Sequence, residues 1–291
     1  MPQYIEVGEH RLIALGANQN QLGIPIIFLH GITLSANFWT PNLPPIVREN
    51  LPWYSLSLPG HYPDFYQPEL LTADMLADIL MSAIQKLVGK QPVALVGYST
   101  GGFAALNLAA HFPNQIKGIF CISGFSQGQW QGLLGWLQRL SQSGAMGKLL
   151  CKILCKAFML NQAFYKLGCS MNAGDRQAYW NAPTLQTTVD AVYPDVIKHN
   201  LNNLVDLFDW FANMDISHLL SKIQVPTLIL SGDRDPIIPL TQAKFIASQI
   251  PDAELIVLQG MGHMFFAERS PAYQNLLTSW IIEKKLYIPK Q

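Results

Sequence analysis

Val93-Ala94-Leu95-Val96-Gly97-Tyr98-Ser99-Thr100-Gly101-Gly102-Phe103-Ala104-Ala105 reads as a strand, a tight turn and a helix joined without a linker. Val93–Val96 is a short apolar run of the kind that forms a buried parallel strand. Gly101 to His111 opens on small residues and predicts a helix that packs close on a sheet. The junction is a Gly-x-Ser-x-Gly. In a turn this sharp, side chains on either side of the serine would clash, hence glycine at both flanks, and the hydroxyl of Ser99 is projected above the sheet.

Strand and helix signals alternate on both sides of this stretch. Ile26 to His30 and Trp53 to Leu58 are apolar runs, the second ended by Pro59-Gly60. Thr72 to Val88 carries apolar residues at helical spacing, with Thr72 to cap it and Gly89 to close it. Ile116 to Ser123 is a further strand, and the N-terminus reads as two short strands around a turn at Gly8 and Glu9. The alternation predicts an α/β fold, a mostly parallel central sheet with helices on both faces. From Gly124 to about His218 it stops, and the apolar residues recur at helical period. It then resumes with Thr227–Leu230, a helix Thr241–Ile250, Glu254–Leu258, and a last helix from Phe265 to about Lys284. The organisation expected is a core domain of residues 1–123 and 219–291 with a helical cap inserted at 124–218.

The composition narrows the function. Of 291 residues 49% are hydrophobic, which excludes a disordered chain. Nineteen basic residues balance nineteen acidic ones with no basic run, so no nucleic-acid partner is expected. Charged residues are only 13%, about half the usual share, which suits a protein that handles apolar matter. The longest apolar stretch, Leu149 to Leu160, is interrupted by Lys152 and Lys156, too early for a membrane-spanning helix. The opening residues carry no basic-then-apolar pattern of a signal peptide. Cys121, Cys151, Cys155 and Cys169 are too few for a disulfide framework and too scattered for zinc, so reduced thiols in a cytoplasmic protein are expected. No cofactor is implied.

A serine hydroxyl becomes a nucleophile only when a base takes its proton and a third group orients that base. After an elbow of this type the partners follow in the order acid, then histidine. His263 lies in Gly260-Met261-Gly262-His263, directly after the strand Glu254–Leu258, in the kind of loop where ligand sites of open α/β sheets gather. His111 sits at the far end of the helix that starts at the serine. His199 and His218 fall in the insertion and read as surface or capping residues. For the acid, Gly232-Asp233-Arg234-Asp235 offers two carboxylates. Asp235 is preferred, because Gly232 and the turn carry the chain outward before it is reached; Asp233 reads as a turn residue bonding backbone amides. An oxyanion needs donors: the backbone N–H of Thr100, after the nucleophile, and that of Ile32, turned inward by the bend at Gly31. A side-chain contribution from Thr33 or Ser35 is left open beside them.

These residues resemble the capped α/β-hydrolase-fold proteins, the group of small esterases, lipases, C–C hydrolases and cofactor-free haloperoxidases. The resemblance is carried by His30-Gly31, Leu58-Pro59-Gly60-His61, Gly97 to Gly102, Gly232 to Asp235 with Pro239, and Gly262-His263. It implies Ser99 as nucleophile, Asp235 as acid, His263 as base, and Ile32 and Thr100 as oxyanion donors, in agreement with the reading from the residues. One departure stands out. The family usually has Asp before the Leu-Pro-Gly-His turn and Gly after it, where this chain has Ser57 and Tyr62, so that loop is expected to differ and to reach the pocket.

The expected activity is hydrolysis of an ester, thioester or related acyl bond of a largely apolar small molecule, through an acyl-enzyme. Acyl transfer and C–C bond hydrolysis can use the same residues, and a receptor can use the same fold. In the cap, Lys148, Lys152 and Lys156 share one helix face, with Leu149, Leu150, Ile153, Leu154, Ala157 and Phe158 on the other. A solvated basic face over a buried apolar one is expected; the alternative is contact with an anionic membrane surface. Trp130, Trp136, Trp180, Trp210, Phe208 and Phe211 are expected mainly to pack, some lining the acyl pocket.

Overall fold

The apolar tetrads Ile26–Leu29 and Trp53–Leu56, with Val93–Tyr98 beside them, have every residue buried, as strands covered on both faces must. In the computed structural model, which describes residues 2–287, they form the centre of one eight-stranded sheet. In chain order the strands are β1 (Gln3–Val7), β2 (His10–Ala17), β3 (Ile26–Leu29), β4 (Trp53–Leu56), β5 (Val93–Tyr98), β6 (Ile116–Ile122), β7 (Thr227–Gly232) and β8 (Ala253–Leu258). Their spatial order is β1-β2-β4-β3-β5-β6-β7-β8. The β1–β2 and β2–β4 pairs are antiparallel and every pair from β4 to β8 is parallel. All the parallel strands therefore deliver their carboxyl ends to one edge.

The first helices are α1 (Trp39–Asn42), α2 (Pro45–Asn50), α3 (Ala73–Val88) and α4 (Thr100–His111). Thr72 accepts from the Met75 N–H and starts α3, and Gly89 at φ 67° ends it. The chain from β6 to β7 is helical: α5 (Gly132–Ser141), α6 (Gly144–Phe158), α7 (Gln162–Ser170), α8 (Arg176–Asn181), α9 (Leu185–Val196) and α10 (Leu201–Asn213). One anchor between these helices and the sheet domain is aromatic. Phe208 of α10 meets Trp130 edge-on, Trp130 and Phe211 of α10 meet Phe125 edge-on, and Phe125 stacks on Phe103 of α4. Each such buried ring contributes on the order of 2–3 kcal/mol through area alone. Trp136 and Trp180, by contrast, are exposed.

The remaining helices are α11 (Leu240–Gln249), α12 (Phe265–Glu268) and α13 (Ser270–Glu283). The single last helix read from the sequence is thus two. Arg269 leaves helical geometry at φ −144°, and Pro271 in the first turn of α13 lacks the N–H that would continue a helix through it.

The basic cap helix departs from expectation on its apolar side: Lys156 is exposed and Lys152 partly so, as read, but the leucines beside them are not buried. The stripe that α6 buries is Gly147, Cys151 and Cys155, small residues four apart that let it approach α5 and α10. Lys148 is drawn inward by Asp206 and Asp209 of α10, at 2.8 and 3.5 Å, and this pairing raises its pKa. Leu149, Leu150 and Ile153 are left facing solvent.

Candidate active site

Ser99 stands where β5 ends and α4 begins, in a backbone conformation (φ 55°, ψ −116°) that an L-residue adopts only when its surroundings compel it. A Cβ at Gly97 would run into the Gly101 carbonyl, and one at Gly101 into the carbonyls of Leu29 and His30. The two flanking glycines are therefore demanded by backbone approach from both sides. The turn lifts Ser99 out of the sheet, yet the residue is only 4% exposed.

The loops after β7 and β8 bring two more side chains to it. His263 Nε2 lies 3.0 Å from Ser99 Oγ, and His263 Nδ1 lies 2.7 Å from Asp235 Oδ2. Both rings of contact are dry, with the Asp235 carboxylate fully buried and the imidazole 2% exposed. Asp235 Oδ1 accepts from the N–H groups of Ile237 and Ile238, which hold the carboxylate in place as the chain turns into α11. Asp233 is exposed and accepts from the Gly260 N–H across the two loops. The structure brings Ser99, His263 and Asp235 together and leaves Asp233 outside.

The two backbone N–H groups named as donors have no partner of their own among the described residues, and the loop carrying one of them bends by a different device from the one read. Thr100 is the first residue of α4, so its N–H has no partner within the helix. The Ile32 N–H makes no backbone hydrogen bond among the described residues. The left-handed residue of that loop is Thr33 (φ 61°), not Gly31. Gly31 is small because a Cβ there would press on Ser99 Cβ and the Tyr98 ring, both at 3.3 Å. Ser35 is occupied in capping the next turn, and the Thr33 carbonyl accepts from the Tyr165 hydroxyl.

Three groups around the site were not read from the sequence. Tyr98 donates its hydroxyl to the His263 carbonyl at 2.9 Å, and burial, reinforced by Asp235, raises its pKa well above the ordinary value. Glu268 accepts from the N–H groups of Gly262, Met264 and Asp175, so one carboxylate ties the histidine loop to the start of α8. Burial raises its pKa, against those donors. A lone acid directly after the apolar run Met264-Phe265-Phe266-Ala267 is the signal that marks it. His199, expected on the surface, is buried: it accepts from the Tyr62 N–H through Nδ1 and bonds the Leu34 carbonyl through Nε2. Its ring meets His61, which meets His30. The Leu58 to Tyr62 loop is held by this histidine stack and does not line the cavities described next.

A cleft opens over Ser99 and His263, walled mainly by apolar residues such as Ile32, Leu134, Val189, Val192 and Phe266. A second lies between α5, α6 and α7, beside Leu137, Phe158, Met159 and Phe208. The two share Thr33, Leu134, Tyr165, Cys169 and Asn172 as a common wall. Asn172 Oδ1 is buried there without a hydrogen-bond partner, a free acceptor in an otherwise greasy passage. All four cysteines are free thiols. Among the described residues no group of three or more His, Cys, Asp or Glu could hold a metal ion, and no helix is long and apolar enough to cross a membrane.

A parallel sheet with a strained serine elbow, and with an acid and a histidine from the two following loops, defines the hydrolase class. The chain belongs to the alpha/beta hydrolase fold family, whose model matches residues 24–270. It is 22% identical over 258 residues to a pimeloyl-[acyl-carrier protein] methyl ester esterase of Neisseria meningitidis serogroup C, covering 88% of this chain and 93% of that one. It is 24% identical over 275 residues to a monoacylglycerol lipase of Bos taurus, covering 88% and 74%. Among solved structures it is similar to an alpha/beta hydrolase enzyme from a Medee basin deep-sea metagenome library (TM-score 0.77, 17% identity, 99% and 98% covered). It is also similar to a thermophilic esterase from Thermogutta terrifontis (TM-score 0.73, 17% identity, 98% and 99% covered).

Proposed function

We propose that this hydrolase cleaves an ester, thioester or related acyl bond of a largely apolar small molecule by a serine acyl-enzyme route. The observation that carries the reading is the unbroken array Asp235 Oδ2–His263–Ser99 Oγ, at 2.7 and 3.0 Å, set in the wall of an apolar cleft. His263 Nε2 takes the Ser99 proton as Oγ bonds to the acyl carbon, and the carbonyl oxygen becomes an oxyanion between the N–H groups of Ile32 and Thr100. As the tetrahedral centre collapses, the bond to the leaving oxygen or sulfur breaks and His263 returns the proton to it. Water then attacks the Ser99 ester as His263 takes its proton, the acyl–Oγ bond breaks, His263 returns the proton to Oγ, and the acid departs. Asp235 keeps Nδ1 protonated and steadies the imidazolium formed at each proton transfer. The paired cavities offer apolar surface to an acyl chain, and a pimeloyl-[acyl-carrier protein] methyl ester esterase and a monoacylglycerol lipase among the relatives support an acyl substrate.

A fluorophosphonate probe tests the reading. Wild type is expected to be labelled at Ser99 and the Ser99→Ala variant not at all. A wild-type protein that resists the probe while folded would point instead to a ligand-binding role for the fold.

A further inference from the structure

Among the described residues, nineteen large hydrophobic side chains are exposed, and eight of them lie between residues 146 and 171. They are not scattered. Leu149, Leu150 and Ile153 stand three and four apart on the outer side of α6, and Phe164, Leu167 and Met171 do the same on and just after α7. The two helices pack on each other, so the outer face of one helical hairpin is apolar. Its inner face is already used: Cys155, Phe158, Met159, Tyr165 and Cys169 line the second cavity.

The charge carried by the hairpin itself has one sign; the acids against it are Asp206 and Asp209, which pair with Lys148, and Asp190, which accepts from Gln162 at the start of α7. From residue 79 to residue 174 the sequence contains no Asp or Glu, while Arg139, Lys148, Lys152, Lys156 and Lys166 fall on or beside the hairpin. Lys148 is matched by α10, but Lys152 and Lys156 have no carboxylate within salt-bridge distance among the described residues. A second copy seated on the same face would set Lys152 and Lys156 against their own kind, with Asp206 and Asp209 already paired with Lys148. An anionic lipid surface meets both features, taking Leu, Ile and Phe side chains into its acyl boundary and Lys152 and Lys156 into its headgroups.

We propose that the α6–α7 hairpin is a docking face for anionic lipid bilayers, which places the second cavity one helix away from the membrane. Docking needs no catalysis, so the inference stands apart from the acyl-hydrolysis reading.

The test is flotation with vesicles of equimolar phosphatidylglycerol and phosphatidylcholine, compared with phosphatidylcholine alone. Wild type and Ser99→Ala are expected to float alike and to partition on the order of tenfold more onto the anionic vesicles, less so at high salt. The triple variant Leu149→Gln, Ile153→Gln, Phe164→Gln is expected to lose flotation while keeping its melting temperature and its rate on soluble p-nitrophenyl butyrate. The pair Lys152→Gln, Lys156→Gln is expected to erase the preference for anionic vesicles. Failure of wild type to float, or flotation of the triple variant at the wild-type level, overturns the proposal. A wild-type dimer in sedimentation velocity that the triple variant converts to monomer also overturns it, in favour of a second copy.

Discussion

Gly262 and Gly174 lie back to back where the cap meets the loop of His263, so close that a Cβ on Gly262 would collide with the Gly174 backbone nitrogen. The contact is sealed on either side, by the His263 N–H donating to the Asn172 carbonyl at 2.9 Å and by Glu268 spanning Gly262 and Asp175. The base of the candidate triad is therefore positioned by the cap as well as by the sheet.

Gly262→Ala is expected to push this seam apart and displace the imidazole. A misplacement of about 1 Å can cost on the order of a hundredfold in rate. The variant should lose at least tenfold in kcat and several degrees in melting temperature, as backbone must move to admit the methyl group. Steady-state kinetics on a p-nitrophenyl ester with a thermal melt check both, and wild-type values in the two would remove the cap from the catalytic geometry.

The two aspartates separate cleanly. Asp235→Asn keeps the shape but presents an amide to Nδ1 and favours the wrong tautomer, so kcat should fall by about 10³–10⁴. Asp233→Asn touches only the exposed Gly260 turn, and its kcat should stay within a factor of about three. A larger loss at position 233, with both variants folded, would reverse the assignment.

Ser99→Ala and His263→Ala should each lower kcat by several orders of magnitude, and the double variant should be hardly worse than either, since triad members act as a unit. Additive losses would mean that the two side chains serve separate steps.

The buried histidines predict acid lability. Burial first, then the neighbouring rings, pulls His61 down to about 3 and His199 to about 4, and lowers His30 well below its ordinary value. In the unfolded chain each takes a proton near pH 6.5. Between that pH and the folded values the unfolded state binds more protons, so stability falls as pH falls, by up to about 1.4 kcal/mol per pH unit for each ring. The melting temperature should therefore drop from pH 6.5 towards 4, and His61→Phe, which cannot take up a proton, should show a shallower slope. Equal slopes for wild type and His61→Phe would show that the ring is not a source of the lability.

For the acyl site, kcat/KM on p-nitrophenyl esters should rise from acetate to hexanoate, mainly through a falling KM. Each methylene that finds the apolar wall contributes up to about 0.8 kcal/mol. Leu134→Trp, at the wall common to both cavities, should move the optimum to shorter chains. An acetate ester turned over as well as the hexanoate, in wild type, would indicate a small polar substrate instead.

Local chemistry alone determined much of this protein. The runs around Ile26, Val93 and Thr227 can only be buried strands, Gly97 and Gly101 can only flank a tight elbow, and the order Ser99, Asp235, His263 follows from strand ends that must share one edge of a parallel sheet. What the sequence left open were the relations between elements distant along the chain. That α6 draws Lys148 inward while Leu149, Leu150 and Ile153 stay outside with Lys156 was decided by Asp206 and Asp209, more than fifty residues away, and by a cysteine stripe small enough to admit α10. His199 became a core residue because Tyr62 and Leu34 close around it. Glu268 became the tie between the cap and the histidine loop because three backbone amides converge on it. Periodicity reports which side of a helix is apolar, but the side that is buried depends on what the folded chain has to pack against it.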